Sequence, residues 1–591
     1  MSRTVSPWRR PAFARRTWLP AFAAFALLAV AWSLAMPADG TTDERQHLER
    51  AYGAVTGHLL APQALDPLVH RPGAAFEVPK SLLPPNALCV YFPNYHQTES
   101  WVARAASCQH PAPDDHAKVR VVSWVGRYNP LFYLGVGGPL RFWPDMKGIL
   151  LSRILAALFS SAFAAAAAVV AIRTRRPLLL AALLTVLTPT TVALSSTVNP
   201  NGIEITAALL LWVCLVDLAR PASARWAVPA GGSGRRVVSP VPAADPVSPS
   251  SHPSYPSHSS ASSLSSASAT PTGVLARFRN AMRLDSDSAA VSQPALLALA
   301  AISGAVVLTV RAEGPFWFAL ALGGSLAAAE PGRVKELLRW RTARLVAVAW
   351  AVIGLLAVAW DVVSGNNKVT QTLIATHPAD HRVLTLLRII AVNRVGGWFT
   401  EAFALDVQAP WAPMLWAVLA AVVLIPLAMV RSRRVVAVAL AVAAASLGIT
   451  VVLEIKYLGT LGWSQYGRYF LPGLAGTAVL LASGPVAELP PVLRRRIPRL
   501  FAVGAAFCQL WVLVVEMTRV QAGPYAPLNP FAGSWHPAVG SLTVLAVATL
   551  GAAALIALVW TATAVETAAD TAAPVVPAPA EPQVVPEPAN S

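Results

Sequence analysis

An acidic pair, Asp43 and Glu44, is the first group in the chain whose residue types and spacing suit chemistry. The pair lies in MPADGTTDERQHLERAYG, where a first apolar run gives way to a long polar segment. A carboxylate within hydrogen-bond reach of a hydroxyl group can act as a general base. In a helix that begins here, His47 would lie on the same face as Asp43 and could hydrogen-bond a ligand or the carboxylate. Two alternatives stay open: Asp43 caps that helix, or His47 is a loop histidine satisfied by its neighbours.

The set Asp43, Glu44 and His47 also contains donor types that bind divalent metals. Its spacing matches no specific ligand motif. The sequence therefore assigns no cofactor, and a divalent metal remains an alternative.

The composition defines the environment in which such a site would work. Hydrophobic residues make up 55% of the chain and charged residues 13%, a balance outside the range of soluble domains. The formal net charge of +17 comes from short basic clusters between apolar runs. A nucleic-acid-binding protein would gather such residues on one folded domain. We therefore predict an all-α polytopic protein whose partner is the lipid bilayer, with no nucleic-acid partner.

Apolar runs of spanning length recur along the chain and predict about 12 transmembrane helices. The predicted spans are 17–36, 148–172, 178–196, 202–219, 295–310, 315–329, 344–363, 411–430, 435–453, 472–487, 499–519 and 541–563. The first is predicted to be an uncleaved span, because its apolar region is longer than a usual signal-peptide core. A cleaved signal peptide is the alternative, since Ser33 and Ala35 resemble a small-residue cleavage site.

Basic residues mark alternate connections between these spans. The clusters lie around Arg173, Arg333, Arg431 and Arg494, and the positive-inside rule assigns such connections to the cytoplasm. We expect a multi-pass protein of the cytoplasmic membrane with both termini in the cytoplasm. The acidic pair then lies on the outer face.

The same pattern divides the chain into five regions. They are a cytoplasmic N-terminus (1–16), a first membrane part (17–219) with an extracytoplasmic loop (37–147), a Ser/Pro-rich cytoplasmic linker (220–293), a second membrane part (294–563) with an extracytoplasmic loop (364–410), and a cytoplasmic tail (564–591). The linker and the tail lack the apolar residues for a core and are predicted to be disordered. In the second loop, His381 to Val395 has the pattern of a surface helix or of a helical extension of a span.

The first extracytoplasmic loop holds Cys89 and Cys108. The predicted orientation places this pair in an oxidising compartment, where a disulfide can form. The sequence does not give the distance between them, so a disulfide and two free thiols both stay open. Cys214 and Cys508 lie in apolar runs and are predicted to be packing residues.

Several ionisable residues fall near the outer ends of the predicted spans, where charge is costly in lipid. These residues are Arg153, Glu204, Arg311, Glu313, Asp361, Glu454 and Lys456. Together with the acidic pair they predict a polar cavity that opens outward. For each residue, snorkelling to the headgroups is the alternative.

Five segments taken in order resemble a known family. They are TTDERQHLERAYGAVTGHL, RYNPLFYLGVGGPLRF, SSTVNPNGIEI, RAEGPFWFALAL and QYGRYFLP, and their order and spacing resemble the bacterial membrane family catalogued as domain of unknown function 2142. That family in turn resembles the GT-C superfamily of integral membrane glycosyltransferases. The resemblance implies a GT-C-like fold with a large first outer loop, an acidic pair after the first helix, and a polyprenyl-phosphate sugar as donor.

Such a reaction gives roles to particular residues. Asp43 is the expected general base, and Glu44 is a partner that tunes it or a second ligand to the sugar. The leaving phosphate needs donors, for which Arg468 is the first candidate and Arg311 and Lys456 are the next. The remaining substrate-binding candidates are His47, Asn129 and Tyr469.

The implied function is an inverting glycosyltransferase that acts at the outer face of the cytoplasmic membrane on a cell-envelope glycan or glycolipid. Whether the chain is an enzyme stays open. A transporter or flippase for an envelope precursor is one alternative, and a non-catalytic membrane assembly subunit is another.

Overall fold

A computed structural model describes residues 11–66, 72–83, 87–90, 104–220, 291–366, 383–405, 411–461, 464–484 and 489–571. Most of the linker and most of the C-terminal tail lie outside the described residues, as do His381 and Arg382. The disorder predicted for the linker and the tail therefore stays a prediction.

The described chain is predominantly helical. Its helices are α1 (Pro11–Ala35), α2 (Glu44–Val55), α3 (Pro130–Val136), α4 (Gly138–Phe142), α5 (Met146–Arg173), α6 (Pro177–Val186), α7 (Pro189–Ser195), α8 (Pro200–Leu218), α9 (Gln293–Val310), α10 (Gly314–Ala328), α11 (Arg333–Arg339), α12 (Arg341–Ser364), α13 (Val383–Asn393), α14 (Val395–Ala404), α15 (Trp411–Met429), α16 (Arg433–Leu461), α17 (Leu471–Ala482), α18 (Pro491–Ala522) and α19 (Ser541–Thr571). The polytopic α-helical fold predicted from the sequence is confirmed.

Each of the twelve predicted spans overlaps a helix, but three differ from a simple crossing. Nine helices among the described residues are long and apolar enough to span a bilayer, or ten if a bent pair is counted as one. That pair is α6 and α7, which meet at 70° where Pro189 removes a backbone donor. Helix α10 has 15 residues and α17 has 12. The last helix continues to Thr571, past residue 563, where the second membrane part was expected to end.

The helices α6 and α8 form the centre of the bundle. Every residue of both is buried, as expected for segments that are apolar on all sides. Helix α1 packs against α5 and α19, and α17 packs between α8 and α16. The two membrane parts therefore share one hydrophobic core.

Successive connections meet at two opposite ends of the bundle. At one end, here called the basic end, Arg176 pairs with Asp217 at 2.6 Å, and Arg333 donates to the carbonyl of Leu218 at 3.0 Å. The described residues of the loop 37–147 cover the other end, here called the sheet end. The basic clusters predicted from alternate connections around Arg173, Arg333 and Arg431 are thus together in space, while the side of the membrane stays a prediction.

The sheet end carries a small antiparallel sheet that the all-α prediction did not include. Its strands are β1 (Gln63–Leu65), β2 (Pro72–Pro79) and β3 (Lys118–Ser123), in the order β1-β2-β3. The alternation of exposed and half-buried residues in KVRVVS is typical of a half-buried strand. Helix α2 lies against this sheet, and a Cβ at Gly53 would lie 2.3 Å from the Phe76 ring. Only glycine permits this close approach.

A disulfide joins Cys89 to Cys108, with their Cα atoms 6.2 Å apart. The carbonyl of Val90, next to this link, accepts a hydrogen bond of 2.8 Å from Arg519 of α18. The disulfide segment is thereby attached to the helical bundle. Cys214 and Cys508 are free and buried, as their apolar surroundings predicted.

We predict that the sheet end faces outward. With Tyr525 replaced by cysteine, a membrane-impermeant maleimide should label intact cells, because that exposed residue follows α18 at the sheet end. With Ser432 replaced by cysteine at the basic end, labelling should require permeabilised cells. The free native cysteines are buried and provide a low background. Labelling of the Ser432 position in intact cells would contradict the orientation.

Candidate functional site

Asp43 and Arg468 meet at the sheet end although they are 425 residues apart in the chain. Asp43 directly precedes α2, and Arg468 lies in the short 3-10 turn Gly467–Phe470 that leads into α17. The Asp43 Oδ2 atom accepts a hydrogen bond of 2.6 Å from Arg468 Nη2. The structure thus brings together the residues expected to act as base and as phosphate ligand.

Asp43 has an unusual backbone conformation, with φ of 61° and ψ of 5°. Few residues other than glycine adopt this left-handed region, and aspartate is one that tolerates it. Asp43 occupies the position before the helix, but its side chain makes no capping hydrogen bond. The side chain is 22% exposed. The capping alternative is therefore wrong for the side chain, and the carboxylate is left at the surface of the site.

Arg468 has a second carboxylate partner, Glu401 of α14, which the sequence analysis missed. Arg468 Nη1 donates to Glu401 Oε1, and the other oxygen of Glu401 accepts 2.8 Å from the backbone N–H of Gly467. The rings of Tyr466 and Tyr469 lie 4.2 and 4.9 Å from the guanidinium carbon. Such cation–π contacts help to hold a desolvated cation. The sequence signal for Glu401 was a single carboxylate in the apolar stretch GGWFTEAFAL.

A second buried arginine, Arg311, also contacts the Tyr469 ring. Its guanidinium carbon is 4.3 Å from the ring centroid. Arg311 pairs with Glu204 at 3.1 Å and with Glu313 at 3.2 Å, and it donates to Asn201 Oδ1. Tyr469 therefore joins the two arginines into one polar cluster. The members of this cluster are Asp43, Asn201, Glu204, Arg311, Glu313, Glu401, Arg468 and Tyr469.

His47 lies beside the polar cluster and is buried. Its Nδ1 atom is 2.8 Å from the hydroxyl oxygen of Tyr133, and the two rings stack with centroids 5.9 Å apart. Burial lowers the pKa of His47 well below its ordinary value, and the charges of Arg311 and Arg468 lower it further. His47 is therefore neutral at physiological pH and available for hydrogen bonding rather than for charge.

Glu44 is directed away from the polar cluster. It is fully buried, and Arg153 Nε donates to its Oε1 at 2.6 Å, while Arg153 Nη2 reaches the other oxygen. Arg153 also donates to the carbonyls of Met36 and Pro37 at 2.8 and 2.7 Å. The pair fixes the start of α2 to α5 and to the end of α1. Of the two residues predicted to be catalytic, only Asp43 therefore lies in the polar cluster.

Two other predicted ligands are not part of the polar cluster. Asn129 caps α3 by accepting a hydrogen bond of 3.1 Å from the backbone N–H of Leu131. Lys456 is exposed, and its ammonium group lies 5.1 Å from the ring centroid of its neighbour Tyr457. Asn129 and Lys456 were predicted from their positions near the outer ends of spans, and those positions did not indicate the direction of their side chains.

The described part of the chain contains no arranged set of metal-binding side chains. There, no group of three or more His, Cys, Asp or Glu side chains is placed to hold a metal ion. In particular, the sequential set Asp43, Glu44 and His47 is split between different partners.

We predict that the Glu44→Gln variant is destabilised, whereas Asp43→Asn is not. Removing one member of a buried ion pair costs about 3–5 kcal/mol, because the other charge is left buried. In Asp43→Asn, Arg468 keeps Glu401 as a partner. Thermal melting in detergent, followed by tryptophan fluorescence, should therefore show a large loss of Tm for Glu44→Gln alone. Equal melting temperatures for the two variants would contradict these separate roles.

Glu49 of α2 predicts a second, pH-dependent effect on stability. Burial raises the pKa of Glu49 to about 8. The positive charge of Arg45, whose Nε atom lies 3.2 Å from Glu49 Oε1, lowers that pKa but does not cancel the effect of burial. The folded protein then holds a proton that the unfolded chain loses near its ordinary pKa of 4.5. Stability from this group is complete below that value and is lost as the pH rises through 8. The Tm of the wild type should fall relative to Glu49→Gln between pH 5 and about 8, and parallel curves would contradict the assignment.

Comparison with known proteins adds one match. Residues 25–230 match the model of the family described as predicted membrane protein DUF2142. This segment contains the first three of the five motifs, whereas RAEGPFWFALAL and QYGRYFLP lie beyond residue 230. No curated protein and no solved structure matches the chain. Over residues 25–230 the chain is therefore similar to the membrane-protein family DUF2142, which confirms the resemblance predicted from the motifs.

Proposed function

We propose that the protein is an inverting glycosyltransferase of the GT-C type. It takes a sugar from a polyprenyl-phosphate donor at the outer face of the cytoplasmic membrane and adds it to a cell-envelope glycan or glycolipid. The observation that carries this proposal is the contact between Asp43 and Arg468 at one end of the helical bundle. A carboxylate and a guanidinium in contact provide a base and an anion ligand for the same reaction.

The reaction divides between these two groups. Asp43 accepts the proton of the acceptor hydroxyl as that oxygen forms a bond to the anomeric carbon of the sugar. The bond from the same carbon to the phosphate oxygen breaks on the opposite face, and its electron pair leaves with the phosphate. Arg468 donates hydrogen bonds to the growing negative charge, for which its planar guanidinium is well suited. Arg311, which also contacts the Tyr469 ring, contributes a second positive charge nearby.

The pairing of Asp43 with Arg468 gives the donor a way to activate the base. The Asp43 oxygen that accepts the Arg468 hydrogen bond is not free to accept one from an acceptor hydroxyl in the same direction. A phosphate bound to Arg468 competes for the Nη2 donor that Asp43 now uses. Glu401 keeps the other edge of the guanidinium in place and also holds the Gly467 N–H. Donor binding thus releases Asp43 Oδ2 to accept the proton of the acceptor hydroxyl.

The exposed parts of the polar cluster have a role toward the sugar. Glu313 is 19% exposed and Asp43 22%, and carboxylates readily accept hydrogen bonds from sugar hydroxyls. These groups orient the sugar and the acceptor, which contributes to the rate by proximity.

A transporter of an envelope precursor is the second candidate, and the bent pair α6 and α7 favours it. Broken helices are typical of transporters, where they usually occur in both of two similar halves. The described helices contain one such pair. The polar cluster lies at the sheet end, which suits chemistry at one surface better than passage through the bilayer.

We predict that Asp43→Asn in the producing cell removes a sugar from the envelope glycans and lets the polyprenyl-phosphate sugar accumulate. The loss of rate should be about 10²-fold or more, the usual contribution of a general base. Arg468→Lys should also reduce transfer, since it keeps the charge but loses the planar fork. Glycan composition and extracted lipid-linked sugars are the measurements.

The matched control is Glu77→Gln, which changes an exposed carboxylate on β2 away from the polar cluster. It should leave the glycans unchanged. Unchanged glycans in Asp43→Asn, with normal amounts of inserted protein, would overturn the catalytic assignment. Accumulation of a complete precursor on the inner leaflet would instead support transport.

A further inference from the structure

Glu454 is a fully buried carboxylate near the sheet end of α16 that has no part in the mechanism above. Its Oε2 atom accepts hydrogen bonds from the backbone N–H groups of Gln465 at 2.6 Å and Ser464 at 3.1 Å. Its Oε1 atom lies 3.4 Å from Arg394 Nε. These contacts attach α16 to the segment that leads into the Arg468 turn.

The same segment is held from its other side. The carbonyl of Gln465 accepts hydrogen bonds from Arg394 Nη2 at 2.8 Å and from Trp398 Nε1 at 2.9 Å. Both the N–H and the C=O of Gln465 are therefore fixed by side chains from other helices. Gln465 stands three positions before Arg468, so the peptide that begins the turn has one defined orientation.

Gly467 continues the restraint up to Arg468 itself. A Cβ at this position would lie 1.8 Å from the carbonyl oxygen of Trp398, so the backbones of the turn and of α14 are in close contact. The Gly467 N–H donates to Glu401, which also binds the guanidinium of Arg468. Two carboxylates thus hold the turn, Glu454 at its start and Glu401 at its end.

We propose that Glu454 is a positioning residue that fixes the turn 464–468 and thereby sets the place where Arg468 binds a phosphate. The part that concerns phosphate rests on the proposed function. The charge of Glu454 matters, because two backbone N–H groups donate to its Oε2 atom and the Arg394 guanidinium lies next to its Oε1 atom. A carboxylate presents only acceptor oxygens to all three groups. The amide of glutamine would present a donor to at least one of them.

The first test is independent of any ligand. Hydrogen–deuterium exchange of the purified full chain, followed by mass spectrometry, would compare wild type with Glu454→Gln. Exchange should rise about tenfold or more for the peptide that covers 464–468, which corresponds to losing hydrogen bonds to a charged acceptor. Exchange in α1 and α8 should stay unchanged. The matched control is Asp361→Asn, which changes a carboxylate of α12 whose Oδ1 is bonded to Asn366 Nδ2 at 3.3 Å.

The second test measures binding of decaprenyl monophosphate to the chain in lipid nanodiscs. Glu454→Gln should weaken binding about tenfold or more, and Asp361→Asn should not. If Glu454→Gln does not fold, Arg394→Gln replaces it, since Arg394 holds the same peptide and is 25% exposed. The Arg394→Gln variant should also exchange faster at 464–468 and bind decaprenyl monophosphate more weakly.

The outcomes separate the inference from the function it rests on. Faster exchange at 464–468 together with weaker binding supports both the positioning role of Glu454 and the phosphate site at Arg468. Unchanged exchange at 464–468, or loosening without weaker binding, overturns the positioning role. If the wild type itself does not bind decaprenyl monophosphate, the proposed donor is wrong, and the exchange experiment still decides whether Glu454 fixes the turn.

Discussion

The ion pair between Asp43 and Arg468 connects the first loop of the chain to the turn before α17. Arg468 is 1% exposed, and a charge so deeply buried is costly unless it is paired and hydrogen-bonded. The surrounding structure meets that requirement with Glu401 and two tyrosine rings. The site therefore exists only when both membrane parts are folded against each other. Neither half holds a complete set of partners for its own charged residues.

Several other buried charges at the sheet end obey the same constraint. Arg153 pairs with Glu44, Arg311 with Glu204 and Glu313, and Arg519 with Glu516. The polar cluster, which includes Arg311, differs from the Arg153 and Arg519 pairs. It has more carboxylates than arginines, and two of its carboxylates, Asp43 and Glu313, are partly exposed. Arg153 and Glu44 are fully enclosed, which suits a structural link. A ligand can compete for the arginine of an ion pair only where the carboxylate partner is exposed, and burial of a charge alone does not indicate such a place.

The sequence predicted the membrane fold well, because apolar runs of spanning length and alternating basic connections are strong local signals. It also named Asp43, Arg468, Arg311 and Tyr469, which the structure brings together. It placed Glu44 beside Asp43, and it did not find Glu401. Adjacent residues at a helix start point in different directions, and the left-handed backbone at Asp43 could not be read from the residue type. The partner of Arg468 depends on how α14 packs, which no local pattern encodes.

A structure of the chain in nanodiscs with a non-hydrolysable polyprenyl-phosphate sugar analogue would test the central claim most directly. The quantity to measure is the distance from the phosphate oxygens to the guanidinium of Arg468. Our account predicts a phosphate in hydrogen-bond contact with Arg468, with Asp43 released from the arginine and facing the anomeric carbon. A ligand bound elsewhere, with the Asp43 to Arg468 pair intact, would contradict it.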